Sequence, residues 1–260
     1  MRNLRCIISY DGSQYAGFQS QPKKNTIQNK LEQAIYQLTK ENIKVISSGR
    51  TDSGVHARGQ VINFHTSSTI PLEKWCIALN VKLPDDIVVL YTEEVPMKFN
   101  SRKLAKLKTY EYKIRVSKVP DVFQSSFELF HPTPLNVDAI EKALSYIEGE
   151  HDFTSFCSMR TEKLHKVRTI HKAWVELIPE FNNYGYRNIL VKIYFKGNGF
   201  LYHMIRIIVG TLIQIGEGKR EITDMKSILE AKERKFAGPT ADAHALTLWS
   251  VEYDDGISFS

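Results

Sequence analysis

The chain has 260 residues, 42% of them hydrophobic and 25% charged, with 35 Lys and Arg against 29 Asp and Glu and a formal net charge of +6. That is an ordinary globular composition, able to bury a large core as one big domain or two smaller ones without help from a metal or disulfide. The three cysteines, Cys6, Cys76 and Cys157, are widely spaced and include no C-x-x-C pair, which argues against a disulfide framework and a zinc site.

The first residues, Met1-Arg2-Asn3-Leu4-Arg5, lead into a strand-like run without the apolar segment of a signal peptide. The most apolar stretch, 200–215, carries His203 and Arg206 and is too short to span a bilayer. A soluble, cytoplasmic protein is expected, and its positive balance favours an anionic partner.

Cys6 to Tyr10 is predicted as a short strand ended by the turn pair Asp11-Gly12. Thr26 caps a helix in which Ile27, Leu31, Ala34, Ile35 and Leu38 recur at helical spacing. The stretch Ser47-Ser48-Gly49-Arg50-Thr51-Asp52-Ser53-Gly54-Val55-His56-Ala57 reads as a charged loop between two strands. Asp52 is its only carboxylate, and Arg50 lies close enough in sequence to hold the acid ionised, which makes Asp52 a plausible nucleophile. An aspartate between glycines commonly closes an Asx turn and catalyses nothing. A second helix is expected from about 71 to 80, burying Trp75 and Leu79, followed by a continuous apolar strand over 87–91.

In the run 109–116, Tyr110, Tyr112, Ile114 and Val116 share one face, and Thr109, Glu111, Lys113 and Arg115 share the other. Tyr110 is thus directed inward, a position where a tyrosine is ordinarily a core residue. Asn136 caps a further helix with Val137, Ile140, Leu144 and Ile147 inward and Gly149 at its end. Strands at about 170–178 and 188–196 are joined by a loop containing Asn182-Asn183-Tyr184-Gly185. Gly197-Asn198-Gly199 is expected to open a long helix from Phe200 to about Gly216, with a shorter helix capped by Thr223 and a closing strand over 246–253. The long helix is apolar around most of its circumference, so Arg206 within it needs a carboxylate or a cleft. Asp52 is one candidate partner.

Two basic groups stand out. One comprises Arg102, Lys103, Lys106, Lys108, Lys113, Arg115 and Lys118; the other comprises Lys163, His165, Lys166, Arg168, His171 and Lys172. Each alone reads as a solvated face, but interleaved with Tyr110, Tyr112 and Trp174 they point toward nucleic acid. The glycines at 197–199 and 216–218 lack the spacing of dinucleotide or phosphate loops, and the eight histidines lack metal-ligand spacing, so no cofactor is implied.

The run Gly49-Arg50-Thr51-Asp52-Ser53-Gly54-Val55-His56-Ala57 closely resembles the signature of the tRNA pseudouridine synthase A family. The likeness continues through Tyr10-Asp11-Gly12, Phe99 with Arg102, Tyr110-Glu111-Tyr112, 152–157, 167–170, Met204-Ile205-Arg206 and Gly238-Pro239-Thr240. The resemblance implies that Asp52 is the catalytic aspartate, Tyr110 the stacking tyrosine and Arg206 the arginine paired with the acid. It further implies a homodimer that binds tRNA and isomerises uridines 38, 39 and 40 of the anticodon stem-loop. Arg50, Arg58, Arg102, Lys108 and Arg168 are the candidate RNA-binding residues. Lys108 stands where the family usually has arginine, and Asp242 and Ala245 stand where it has proline and glycine; these departures bear on the choice of target uridine. If that glycine has positive φ, Ala245 costs about 1 kcal/mol.

The expected fold is α+β, two α/β halves with mainly antiparallel sheet forming a continuous core and the active-site cleft between them. Residues 1–105 carry the catalytic loop and residues 106–260 carry Arg206. Against the isomerase stand a paralogue with another uridine target, a non-catalytic RNA-binding or chaperone protein on the same scaffold, and a nucleoside glycosidase using Asp52.

Overall fold

A computed structural model describes residues 1–159, 165–181 and 187–254. Lys163 of the second basic group and the expected loop Asn182-Asn183-Tyr184-Gly185 lie outside the described residues. Among the described residues the chain forms ten strands and five α-helices with mostly antiparallel pairing, the α+β class expected from hairpin-joined strands mixed with amphipathic helices. The chain divides into two compact units: Met1–Lys106 together with the segment from Thr247 onward, and Leu107–Leu246.

In the first unit β1 (Arg2–Tyr10) lies antiparallel between β3 (His56–Thr66) and β4 (Ile87–Val95), and the short β2 (Ile46–Ser47) pairs with β3. The closing strand β10 (Leu246–Glu252), expected with the second half, adds to β3 in parallel register through Thr247 and Leu248 opposite His56 and Ala57. Hydrophobic alternation marks a strand but not the sheet it joins. Here Gly59 makes room, because a Cβ at that position would stand 2.7 Å from the Trp249 carbonyl oxygen.

Helix α1 (Ile27–Thr39) starts where the Thr26 hydroxyl accepts the Asn29 amide at 3.4 Å and stops where Lys40 turns to φ 61°. Its stripe Ile27, Leu31, Ala34 and Ile35 is buried, the leucine and each isoleucine contributing roughly 1.5–3 kcal/mol relative to exposure. The second expected helix is a tight turn at Leu72–Lys74 continued by α2 (Trp75–Asn80), whose Trp75 meets Phe64 edge-on at 5.5 Å. The apolar run 87–91 is a strand as expected, the start of β4, which pairs with β1 and leaves Val88, Leu90 and Tyr91 exposed.

In the second unit β5 (Leu107–Val116), β9 (Arg187–Gly197), β8 (Val167–Phe181) and β7 (Gly149–Asp152) follow one another in antiparallel order, and β6 (Leu129–His131) runs parallel to β5. Helix α3 (Val137–Leu144) is capped by Asn136 as expected, its side chain accepting the Ala139 amide at 3.0 Å. Helix α4 (Met204–Gly216) begins four residues later than expected, because His203 adopts φ 63° and interrupts any helix from Phe200. Once begun, α4 is buried on most sides, as its wide apolar surface requires. Helix α5 (Asp224–Ala231) follows Thr223, whose side chain makes no capping bond; the Asp224 carboxylate instead accepts the Glu221 amide at 3.1 Å.

The polar face of β5 departs most from expectation. Glu111 is only 1% exposed, accepts the Tyr194 hydroxyl at 2.9 Å and has Lys113 at 3.5 Å and Lys192 at 3.9 Å. Arg115 is likewise buried, bound to Glu128 at 2.6 Å and Glu180 at 2.7 Å. Burial alone would lower its pKa, and the two carboxylates more than reverse that. Two members of the first basic group are therefore committed to carboxylates within the sheet.

Candidate active site

Asp52 sits half-buried on the loop between β2 and β3, and neighbours hold the loop's backbone from several directions. At its start the Ser48 amide donates to the Val61 carbonyl at 2.8 Å, and Gln60 bonds both the Ser48 hydroxyl and the Gly49 carbonyl. Next to the acid, the Thr51 hydroxyl meets the Tyr10 hydroxyl at 2.8 Å, and the Thr51 carbonyl accepts the Phe18 amide at 3.1 Å. Burial pushes the Tyr10 phenol up to about 12, against the pull of Thr51 and Gln60, so it serves as a neutral hydroxyl. Beyond the acid, the Val55 amide returns to the Asp52 carbonyl at 3.2 Å, and Gly54 takes φ 78°.

The second turn of this unit, Asp11 to Phe18, lies directly on that loop. A Cβ on Gly17 would stand 2.7 Å from the Thr51 carbonyl oxygen, and one on Gly12 would stand 2.1 Å from that of Val55. The facing turn is closed by an Asx turn of its own at Asp11, whose carboxylate accepts the Ser13 amide at 2.9 Å and hydroxyl at 2.6 Å. Tyr10-Asp11-Gly12 is thus the support of the Asp52 loop, a role its sequence did not declare.

In the second unit Tyr110 lies on β5 opposite Phe195, 8% exposed, with its ring edge-on to Phe200 at 5.3 Å. Arg206 is half-buried on α4, and its Nε donates to the Ala241 carbonyl at 2.7 Å while the Ala241 amide donates to the Arg206 carbonyl at 3.0 Å. The next residue, Asp242, accepts the Tyr112 hydroxyl on its carbonyl at 3.0 Å. Burial raises the Tyr112 phenol, Asp242 adds to the rise and Arg206 opposes it. Segment 238–242 is seated by close backbone contact: a Cβ on Gly210 would stand 1.9 Å from the Pro239 carbonyl oxygen, and the Gly238 amide donates to the Thr211 hydroxyl at 2.9 Å. Gly238-Pro239-Thr240 therefore positions the arginine. Asp242 has φ −63°, the value a proline would impose, and Ala245 ends a tight turn without positive φ, so the expected strain at 245 does not arise.

The candidate RNA-binding residues are dispersed. Arg50 and Arg58 are exposed on either side of Asp52 in the chain, and the Arg58 guanidinium lies over the Trp249 ring at 5.0 Å. Arg102 is exposed in a turn whose Asn100 side chain accepts its amide at 3.1 Å. Lys108, the second residue of β5, lies opposite Gly197. Arg168, half-buried on β8, donates to the carbonyls of His165 and Val167, and burial lowers its pKa. Phe99, noted with Arg102, has a packing role: the buried Arg5 guanidinium lies over its ring at 5.1 Å and pairs with Glu93 at 2.6 Å. Among the described residues no group of three or more His, Cys, Asp or Glu is placed to hold a metal ion, and no helix is long and apolar enough to cross a membrane.

A family model described as tRNA pseudouridine synthase matches residues 6–102 and 143–254. The tRNA pseudouridine synthase A of Brevibacillus brevis is 47% identical over 253 residues, covering 97% of this chain and 100% of the relative. Proteins of the same name from a Geobacillus species and from Anoxybacillus flavithermus are 45% and 46% identical over 98% of this chain. With this likeness running through the Asp52 loop and the Arg206 helix alike, the chain belongs to the tRNA pseudouridine synthase family.

Proposed function

We propose that the protein isomerises uridine to pseudouridine in tRNA with Asp52 as its nucleophile, at positions 38, 39 and 40 of the anticodon stem-loop. The observation that carries this reading is a half-buried carboxylate on a loop whose flanking backbone is held by Phe18 and Gln60 and whose Thr51 hydroxyl is held by Tyr10.

The reaction breaks the bond from ribose C1′ to N1, turns the detached uracil and joins C1′ to C5. The C5 proton is lost and N1 gains one, so the product is an isomer. A carboxylate suffices, either by attacking C1′ or by assisting departure of the base to a glycal. Arg206 keeps the acid ionised and aimed, and Tyr110 stacks on the flipped base. Arg50, Arg58, Arg102, Lys108 and Arg168 contact the RNA backbone. The protein acts as a cytoplasmic homodimer, an assembly carried over from the family.

Tritium release from tRNA labelled at uridine C5 tests the reading, since joining through C5 expels that hydrogen. Release is expected from the native chain, and Asp52→Ala should abolish it while tRNA binding persists. Full activity in the variant would remove Asp52 from the chemistry, and free uracil among the products would point to a glycosidase.

A further inference from the structure

Building on the reading of Asp52 as nucleophile, we propose that His56 is a positioning residue: its Nδ1 accepts the Gly12 amide and so fixes the backbone from which Asp52 is presented. The amide lies 3.0 Å from Nδ1, and both residues are buried, His56 at 3% exposure. Accepting that bond requires an unprotonated Nδ1, which puts the ring proton of the neutral imidazole on Nε2. Asp11 Oδ1 is 3.1 Å from the same nitrogen, but it already takes two donors from Ser13. On the neutral ring that nitrogen accepts the amide, whereas protonation would turn it to Asp11 and release the Gly12 N–H, so the positioning role belongs to the neutral imidazole.

The effect reaches Asp52 through direct contact. The Gly12 backbone touches the Val55 carbonyl so closely that a Cβ would stand 2.1 Å from it, and the Val55 amide bonds the Asp52 carbonyl at 3.2 Å. With no acceptor at position 56, the Gly12 N–H becomes a buried donor without a partner and has to shift toward water. Val55 and the Asp52 backbone shift with it. A displacement of a reacting group by about 1 Å costs on the order of a hundredfold in rate.

Three variants separate this role from simple packing. Asparagine places its Oδ1 near the position of Nδ1, glutamine reaches instead to the position of Nε2, and leucine offers no acceptor. In the tritium-release assay His56→Leu and His56→Gln are expected to lower kcat about 10- to 100-fold, with KM for tRNA within about threefold of the native value. His56→Asn should recover most of the turnover, and amide exchange at Gly12 should be fast in the Leu and Gln variants and slow in the Asn variant. Native kcat in His56→Leu, or a His56→Asn enzyme as slow as His56→Gln, overturns the proposal. Should His56→Leu fail to fold, the Asn and Gln pair makes the same comparison. A native chain that releases no tritium overturns the isomerase reading instead, and the Gly12 exchange rates then decide the positioning role by themselves.

Discussion

Asp52 in the first unit and Arg206 in the second are held by different means. The Asp52 loop is fixed by separate hydrogen bonds from Tyr10, Phe18 and Gln60, with Gly12 and Gly17 allowing a facing turn to touch its backbone. Arg206 rides on a helix buried on most sides, and its head bonds the carbonyl of a segment wedged against Gly210. On the loop, position can be lost one bond at a time while the surrounding sheet stays intact. On the helix, position belongs to the core and is lost only together with stability.

The largest expected effect falls on the acid itself. Asp52→Asn should lower tritium release by at least about a thousandfold with the melting temperature unchanged; a substantial residual rate would break the comparison at its first term. On the helix side, Gly210→Ala drives a Cβ to 1.9 Å from the Pro239 oxygen and should cost roughly 1–3 kcal/mol in urea unfolding. An unchanged midpoint would mean that segment 238–242 yields easily and does not fix Arg206. Thr51→Val removes one partner of the Tyr10 phenol but leaves Gln60 beside it, so about 1 kcal/mol of stability is expected to go. Its kcat should fall by about tenfold, more than that stability loss explains, if the loop is positioned bond by bond. The smallest effect is electrostatic: Arg58→Ala should weaken tRNA binding modestly and reduce the salt slope of the affinity by about one.

Much of this was legible in the chain. Thr26 and Asn136 cap their helices by the bonds their residue types favour, and the all-round apolar surface of α4 announced its burial. Local rules succeed there because a cap or a stripe is decided within one or two turns of chain. The same rules missed the start of α4, where His203 takes a left-handed conformation that no local spacing requires. They also misjudged β5, since alternation tells which side chains share a face but not what covers that face. Glu111 and Arg115 are buried because Tyr194, Lys192, Glu128 and Glu180 come to them from other strands and from the loop before β6.

The sequence by itself determined the α+β class, most of the helices and strands, and the residue types available for chemistry, Asp52, Tyr110 and Arg206 among them. Only the tertiary structure decided that Tyr10, Gly12 and His56 support the Asp52 loop, that Gly238-Pro239-Thr240 seats Arg206, and that β10 returns to the first unit. The physical reason is separation along the chain. Val55 stands against Gly12, and Pro239 against Gly210, through backbone contacts that leave no periodicity in the sequence and require only that one residue lack a side chain.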